Sequence, residues 1–112
     1  MRYETGIAAE EAVRRHYEAQ GASLLAARWR PPLRKGLGEI DLIFSQDGAT
    51  IFVEVKARAT HAKAADSLTW HQRQRLLRSA ELWLAERPTP ARLDAALVDG
   101  AGEIHIIENI TQ

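Results

Sequence analysis

Apolar positions recur along this chain at two different periods. Between Gly6 and Gln20, Ala9, Val13 and Tyr17 lie four residues apart, which predicts a helix with one apolar stripe. Thr5 offers an N-cap side chain and Gly21 a stop. Glu10 borders the stripe, and Glu11 points away from it. "ASLLAARW" then reads as a strand, and "RPPLRKG" as a loop, because adjacent prolines do not belong inside a sheet. "GEIDLIF" and "TIFVEVKA" read as two strands joined by "SQDGA", whose Asp-Gly pair predicts an antiparallel hairpin. "THAKAAD" is small, polar and aperiodic, and is expected to be a mobile loop. Leu76, Leu77, Ala80, Trp83 and Leu84 restore the helical period, so a second helix is expected over Ser67 to Glu86, closed by Pro88. "RLDAALV" and "EIHIIEN" flank the turn "DGAG" as two more strands. The predicted class is α/β, a mixed sheet of about five strands with helices packed on it.

Composition narrows the function classes. A chain of 112 residues suits one compact domain, and no repeat or Gly/Ser-rich linker divides it. The absence of cysteine excludes disulfides, thiolate metal sites and a cysteine nucleophile, and fits a reducing, cytoplasmic setting. No apolar run has the length of a membrane span, and the N-terminal residues do not read as a secretory signal. Formal net charge is zero, which argues against binding by bulk charge alone. The charges are nevertheless grouped. Arg28, Arg30, Arg34 and Lys35 precede "GEIDLIF", and Arg73, Arg75 and Arg78 follow "FVEVK", so a basic face on a neutral molecule is expected.

The candidate chemistry lies in the hairpin. Along its second strand Phe52, Glu54 and Lys56 share one face, and Ile51, Val53 and Val55 share the other. On the first strand Asp41 shares a face with Glu39 and Ile43, opposite Ile40, Leu42 and Phe44. One face is thus apolar, while the other carries Asp41, Glu54 and Lys56. Two carboxylates and an ammonium suit metal-assisted phosphodiester hydrolysis: magnesium takes oxygen ligands, here Asp41, Glu54 and the Val55 carbonyl, with Lys56 orienting water or stabilising charge on the phosphate. Glu10 would complete the set if its helix packs over the hairpin. The alternative is a solvated sheet face on which Glu54 and Lys56 form an ordinary pair and Asp41 meets an arginine.

These motifs in order resemble a known family. "TGIAAEEA", "AARWR", "GEIDLI", "FVEVKAR", "QRLLRSAELWL" and "RLDAALV" resemble the bacterial YraN-like family, UPF0102. That family is similar to Holliday-junction resolvases and to the restriction-endonuclease-like, PD-(D/E)xK group. The resemblance covers nearly the whole chain and implies a nuclease-like mixed sheet, with Glu10, Asp41, Glu54 and Lys56 as the active-site set and Mg2+ or Mn2+ as cofactor. It implies a DNA substrate, branched DNA among the candidates, and a homodimer, since one domain offers one site and junction resolution cuts two strands. Arg30, Arg34, Lys35, Arg58, Gln72, Arg73 and Arg75 are the expected DNA contacts. Three departures stand out: Ala9 where the family usually has glycine, a longer "RPPLRKGL" loop, and a second helix whose usual Lys-Gln falls at Gln72–Arg73, with Gln74 following. Either glutamine is a candidate for supporting the site.

Other signals are weaker. His16, His61, His71 and His105 lack metal-ligand spacing, although His61 follows the third strand closely. Ser45, Ser67 and Ser79 have no accompanying triad, and no phosphate-binding glycine motif occurs. Trp83 is expected in the core, Trp29 beside the basic loop, and Trp70 in packing, with base stacking as its alternative role. Two further function classes remain open: a DNA- or RNA-binding module that keeps the nuclease fold without turnover, and an assembly protein using the apolar sheet face.

Overall fold

The computed structural model describes residues 2–32 and 36–111, with residues 2–5 described in backbone only. Arg34 and Lys35 of the basic loop lie outside the described residues. The elements run α1 (Arg2–Ala19), β1 (Ser23–Trp29), β2 (Ile40–Gln46), β3 (Ala49–Ala57), α2 (His61–Asp66), α3 (Trp70–Glu86), β4 (Ala91–Val98) and β5 (Ile104–Ile107). The strands form one five-stranded sheet in the order β1-β2-β3-β4-β5. Every neighbouring pair is antiparallel except β3 and β4, which are parallel and joined through α2 and α3. The expected mixed α/β sheet flanked by helices is therefore present.

Side-chain alternation divides the core between the two faces. Leu42, Phe44, Ile51, Val53, Ala96 and Val98 pack with Ala9, Val13 and Tyr17 of α1. On the other face Ile43, Phe52 and Leu93 pack with Leu76, Ala80 and Trp83 of α3, while Ala95 and Leu97 hold Ala64 of α2. Both faces of the hairpin are thus covered, and a solvated sheet face is not the setting of Glu54. Ile40 departs from the simple alternation. It joins Ile43 and Phe52 beneath α3, at a point of β2 where the ladder to β3 has already ended at Leu42 and Val53.

Three boundaries differ from the sequence expectation. Helix α1 begins by Arg2, so Thr5 lies within it and does not cap it. Its end is as expected: Gly21 adopts φ +94°, and the Gly21 and Ala22 amides bond back to the Glu18 and Tyr17 carbonyls. "THAKAAD" is not a loop. Residues His61–Asp66 form a helix whose N-cap Thr60 accepts a hydrogen bond from the Lys63 amide. One buried alanine, Ala64, is its whole apolar anchor, and that is too little to register as a period. Helix α3 begins at Trp70, not Ser67, because Ser67 caps α2 and Thr69 caps α3 through the Gln72 amide.

Candidate metal and phosphate site

The site arises where the sheet opens. In register, Asp41 would face Glu54, but the β2–β3 ladder stops one step earlier, at Leu42–Val53. Beyond that step the Val55 amide has lost its strand partner, and it donates instead to Asp41 Oδ2 at 2.8 Å. In an antiparallel strand a residue's N–H and C=O point to the same side, so the Val55 carbonyl shares the gap that its amide faces. The two carboxylates therefore sit side by side at the fork, as neighbours on one face.

Glu54 is buried, with 5% of its surface exposed. Lys56 Nζ lies 3.4 Å from Glu54 Oε2, and Glu54 Oε1 has no hydrogen-bond partner. Burial pushes the Glu54 carboxyl well above its ordinary range, the adjacent Asp41 carboxyl adds to the rise, and Lys56 only partly opposes it. Glu10, on α1, does not line the cleft at this fork but lies within electrostatic range of Asp41. Its carboxyl is also raised, first by burial and then by Asp41, while a hydrogen bond from Arg28 Nε at 3.1 Å works the other way. The carboxylates thus disfavour one another's charge, which is the electrostatic condition that a cation relieves.

A cleft of about 320 Å³ opens onto the pair, lined by Leu37, Gly38, Glu39, Asp41, Glu54, Gln72, Arg75 and Leu76. Gln72, in the first turn of α3, is therefore the glutamine at the site, whereas Gln74 lines a neighbouring groove. Two residues that composition and spacing did not single out bring α3 this close. Ser79 is fully buried and donates to the Gly38 carbonyl at 2.6 Å. A Cβ at Gly38 would stand 3.1 Å from Leu76 Cδ2 and 3.3 Å from the Leu76 amide nitrogen, tighter than ordinary packing, so glycine lets this segment lie close against the helix. Arg28 is a third. It opposes Asp41 across β1 and β2 and holds φ +51°, a conformation costly for a residue with a Cβ.

Comparison with known families decides the affiliation. Residues 9–98 match the model described as "Uncharacterised protein family UPF0102". The chain belongs to UPF0102. It is 48% identical over 108 residues to a UPF0102 protein of Ruegeria sp. strain TM1040, an alignment covering 93% of this chain and 84% of the relative. It is 46% identical to one from Ruegeria pomeroyi, over 93% and 85% of the two chains, and 45% identical to one from Cereibacter sphaeroides, over 96% and 92%.

The remaining candidates of this UPF0102 chain separate by geometry. Arg75 lines the cleft. Arg30 is paired with Glu39 at 2.9 Å, and Arg58 turns back onto the Ala57 carbonyl at 2.7 Å. Arg73 lines neither the cleft nor the groove beside it. His61 bonds the Glu103 carbonyl at 2.8 Å and lies 3.9 Å from Asp99, so it ties α2 to the β4–β5 turn. Trp83 is in the core, and Trp29 packs edge-on against it. Trp70 does not pack as expected: 61% of its surface is exposed. Among the described residues no helix is long and apolar enough to cross a membrane.

Among the described residues no three His, Asp or Glu side chains converge as a metal-binding group. The donor set is two carboxylates at a strand fork, one with a buried oxygen lacking any partner. Magnesium is commonly held by one or two carboxylates, with water and substrate phosphate completing its shell, so these residues fit such an ion.

Proposed function

We propose that this UPF0102 protein is a divalent-metal-dependent phosphodiester hydrolase acting on DNA. The observation that carries the reading is the buried Glu54 carboxyl pressed against Asp41 at the fork between β2 and β3, where no donor reaches Glu54 Oε1. A buried acceptor left unmade costs free energy, and a like-charged neighbour increases that cost. A protein that merely needed a stable sheet would do better with an apolar residue here.

Asp41 and Glu54 would hold a magnesium or manganese ion, with the Val55 carbonyl as a further oxygen. When bound, that ion supplies Lewis-acid polarisation of the scissile phosphate and activation of water. Asp41 is held in place by the Val55 amide, so its position is set before any ligand arrives. Lys56 keeps an ammonium at the inner end of the cleft, where it would balance charge growing on the phosphate. Gln72 and Arg75 line the opposite wall from α3 and would orient the phosphate; arginine offers paired donors for that purpose. Glu10, anchored by Arg28 and within electrostatic range of Asp41, would act through water.

The test is cleavage of end-labelled duplex, flapped and four-way branched DNA with manganese or magnesium. Cleavage is expected with the ion and absent with chelator. Glu54→Gln and Lys56→Ala should each lower the rate by on the order of 100-fold or more, since even outer partners of a metal site cost 10–100-fold. Equal rates in Glu54→Gln and the native protein would overturn the assignment. Retained DNA binding with no turnover on any substrate would favour a non-catalytic nucleic-acid-binding module.

A further inference from the structure

Helix α3 carries a second depression beside the carboxylate cleft. It encloses about 450 Å³ and is lined by Trp70, His71, Gln74, Arg75 and Arg78. Arg75 lines both depressions, so cleft and groove are neighbours along the helix. Trp70 is the most exposed large apolar side chain among the described residues, ahead of Leu25 and Ile107. Its one ring neighbour is His71, at 5.1 Å and nearly perpendicular, which leaves indole face open.

The arginines repeat the contrast. Arg14, Arg15, Arg28, Arg30, Arg87 and Arg92 each lie within 4.0 Å of a carboxylate. Arg58, Arg73, Arg75 and Arg78 have no such partner among the described residues, and of these Arg75 and Arg78 line the groove. An exposed indole is unfavourable for solubility, yet with two uncompensated guanidiniums lining the same groove it offers what a nucleotide needs: a stacking face and cations for its phosphates. Bases inside a duplex are already stacked and cannot lie on an indole, so this groove discriminates in favour of an unpaired base.

We propose that the Trp70 groove is a subsite for an unpaired nucleotide of a DNA strand whose neighbouring phosphate enters the Asp41–Glu54 cleft. The substrate class is then DNA with single-stranded character next to the scissile bond, and Trp70 is a specificity-determining residue. This inference rests on the hydrolase reading for the placement of the strand, but the groove's binding is measurable without turnover.

The experiment uses the full chain in chelator, with fluorescein-labelled oligothymidylate and a duplex of equal length as probes. Affinity is read by anisotropy, and Trp70 by the part of the indole-emission quenching that is lost in Trp70→Ala. The single strand should bind more tightly than the duplex and quench the emission. Trp70→Ala should weaken single-strand binding about tenfold, the loss expected for one stacked base, while Trp70→Phe should lose less than about threefold. Circular dichroism checks that both variants are folded. Equal single-strand affinity in Trp70→Ala and the native protein would overturn the proposal, as would a native preference for duplex or no single-strand binding at all. A manganese titration of Trp70→Ala separates the two readings. Unchanged ion affinity with weakened single-strand binding supports the subsite. Failure of the native protein to bind the ion would count against the hydrolase reading and not against the groove.

Discussion

Two carboxylates are buried in this sheet, and they are treated oppositely. Asp94 on β4 has no exposed surface, and its oxygens are fully engaged: the Tyr17 hydroxyl donates at 2.8 Å, Arg92 Nε at 3.0 and 3.2 Å, and the Asn109 amide at 3.0 Å. Glu54 on β3 is nearly as buried, but it has one ammonium at 3.4 Å, another carboxylate beside it and an oxygen with no partner. The two sit on opposite faces, Asp94 against α1 and Glu54 against α3. Asp94 staples α1, β4 and the C-terminal segment together. Glu54 ties no distant elements together, and its unmet electrostatic demand is what motivates the proposal that it holds a ligand.

The comparison breaks most sharply at Asp94. Asp94→Ala leaves the Tyr17 hydroxyl, the Arg92 guanidinium and the Asn109 amide without their acceptor, and should cost about 3–5 kcal/mol of stability by urea denaturation. Tyr17→Phe removes one donor to the same carboxylate and should cost about 1.5–3 kcal/mol, with manganese affinity unchanged. Ser79→Ala frees the Gly38 carbonyl from α3. A loss of about 1–2 kcal/mol is expected there, with weaker ion binding because the cleft wall loosens.

The pH dependence sharpens the contrast. The Glu54 carboxyl is raised from 4.5 to about 9 in the folded protein. Between those values the folded chain holds a proton that the unfolded chain has released, so folded-state stability is highest below the unfolded value and falls as pH rises toward about 9. Thermal midpoints in chelator should decline across that window, and manganese should flatten the decline. The smallest effect is expected from Glu54→Gln in chelator, a shift under about 1 kcal/mol, because the amide keeps the volume and removes the charge. A large loss there would make Glu54 a structural group like Asp94.

Much of this was legible in the sequence, for identifiable reasons. Strand alternation is local, so "LIF" and "IFVEV" declare their faces, with Ile40 the exception, and the Asp-Gly turn sets the register that brings Asp41 toward Glu54 just beyond the ladder's end. The helix stripes of Ala9, Val13 and Tyr17 and of Leu76, Ala80 and Trp83 are likewise local. What escaped depends on tertiary approach. Gly38 and Ser79 matter because a loop runs against α3, and neither residue type announces that. Arg28 matters through a left-handed backbone at the edge strand. Helix α2 was hidden because one buried alanine makes no pattern, and Gln72 could be separated from Gln74 only once Thr69 fixed the start of α3.

The central claim is that the Asp41–Glu54 fork binds a divalent cation. Calorimetric titration with manganese, repeated with a short DNA duplex present, tests it most directly. Binding to the native protein that is lost in folded Asp41→Ala and Glu54→Gln, and kept in Tyr17→Phe, is the predicted result. Manganese binding that survives both substitutions, or its absence from the native protein with and without DNA, would contradict the account.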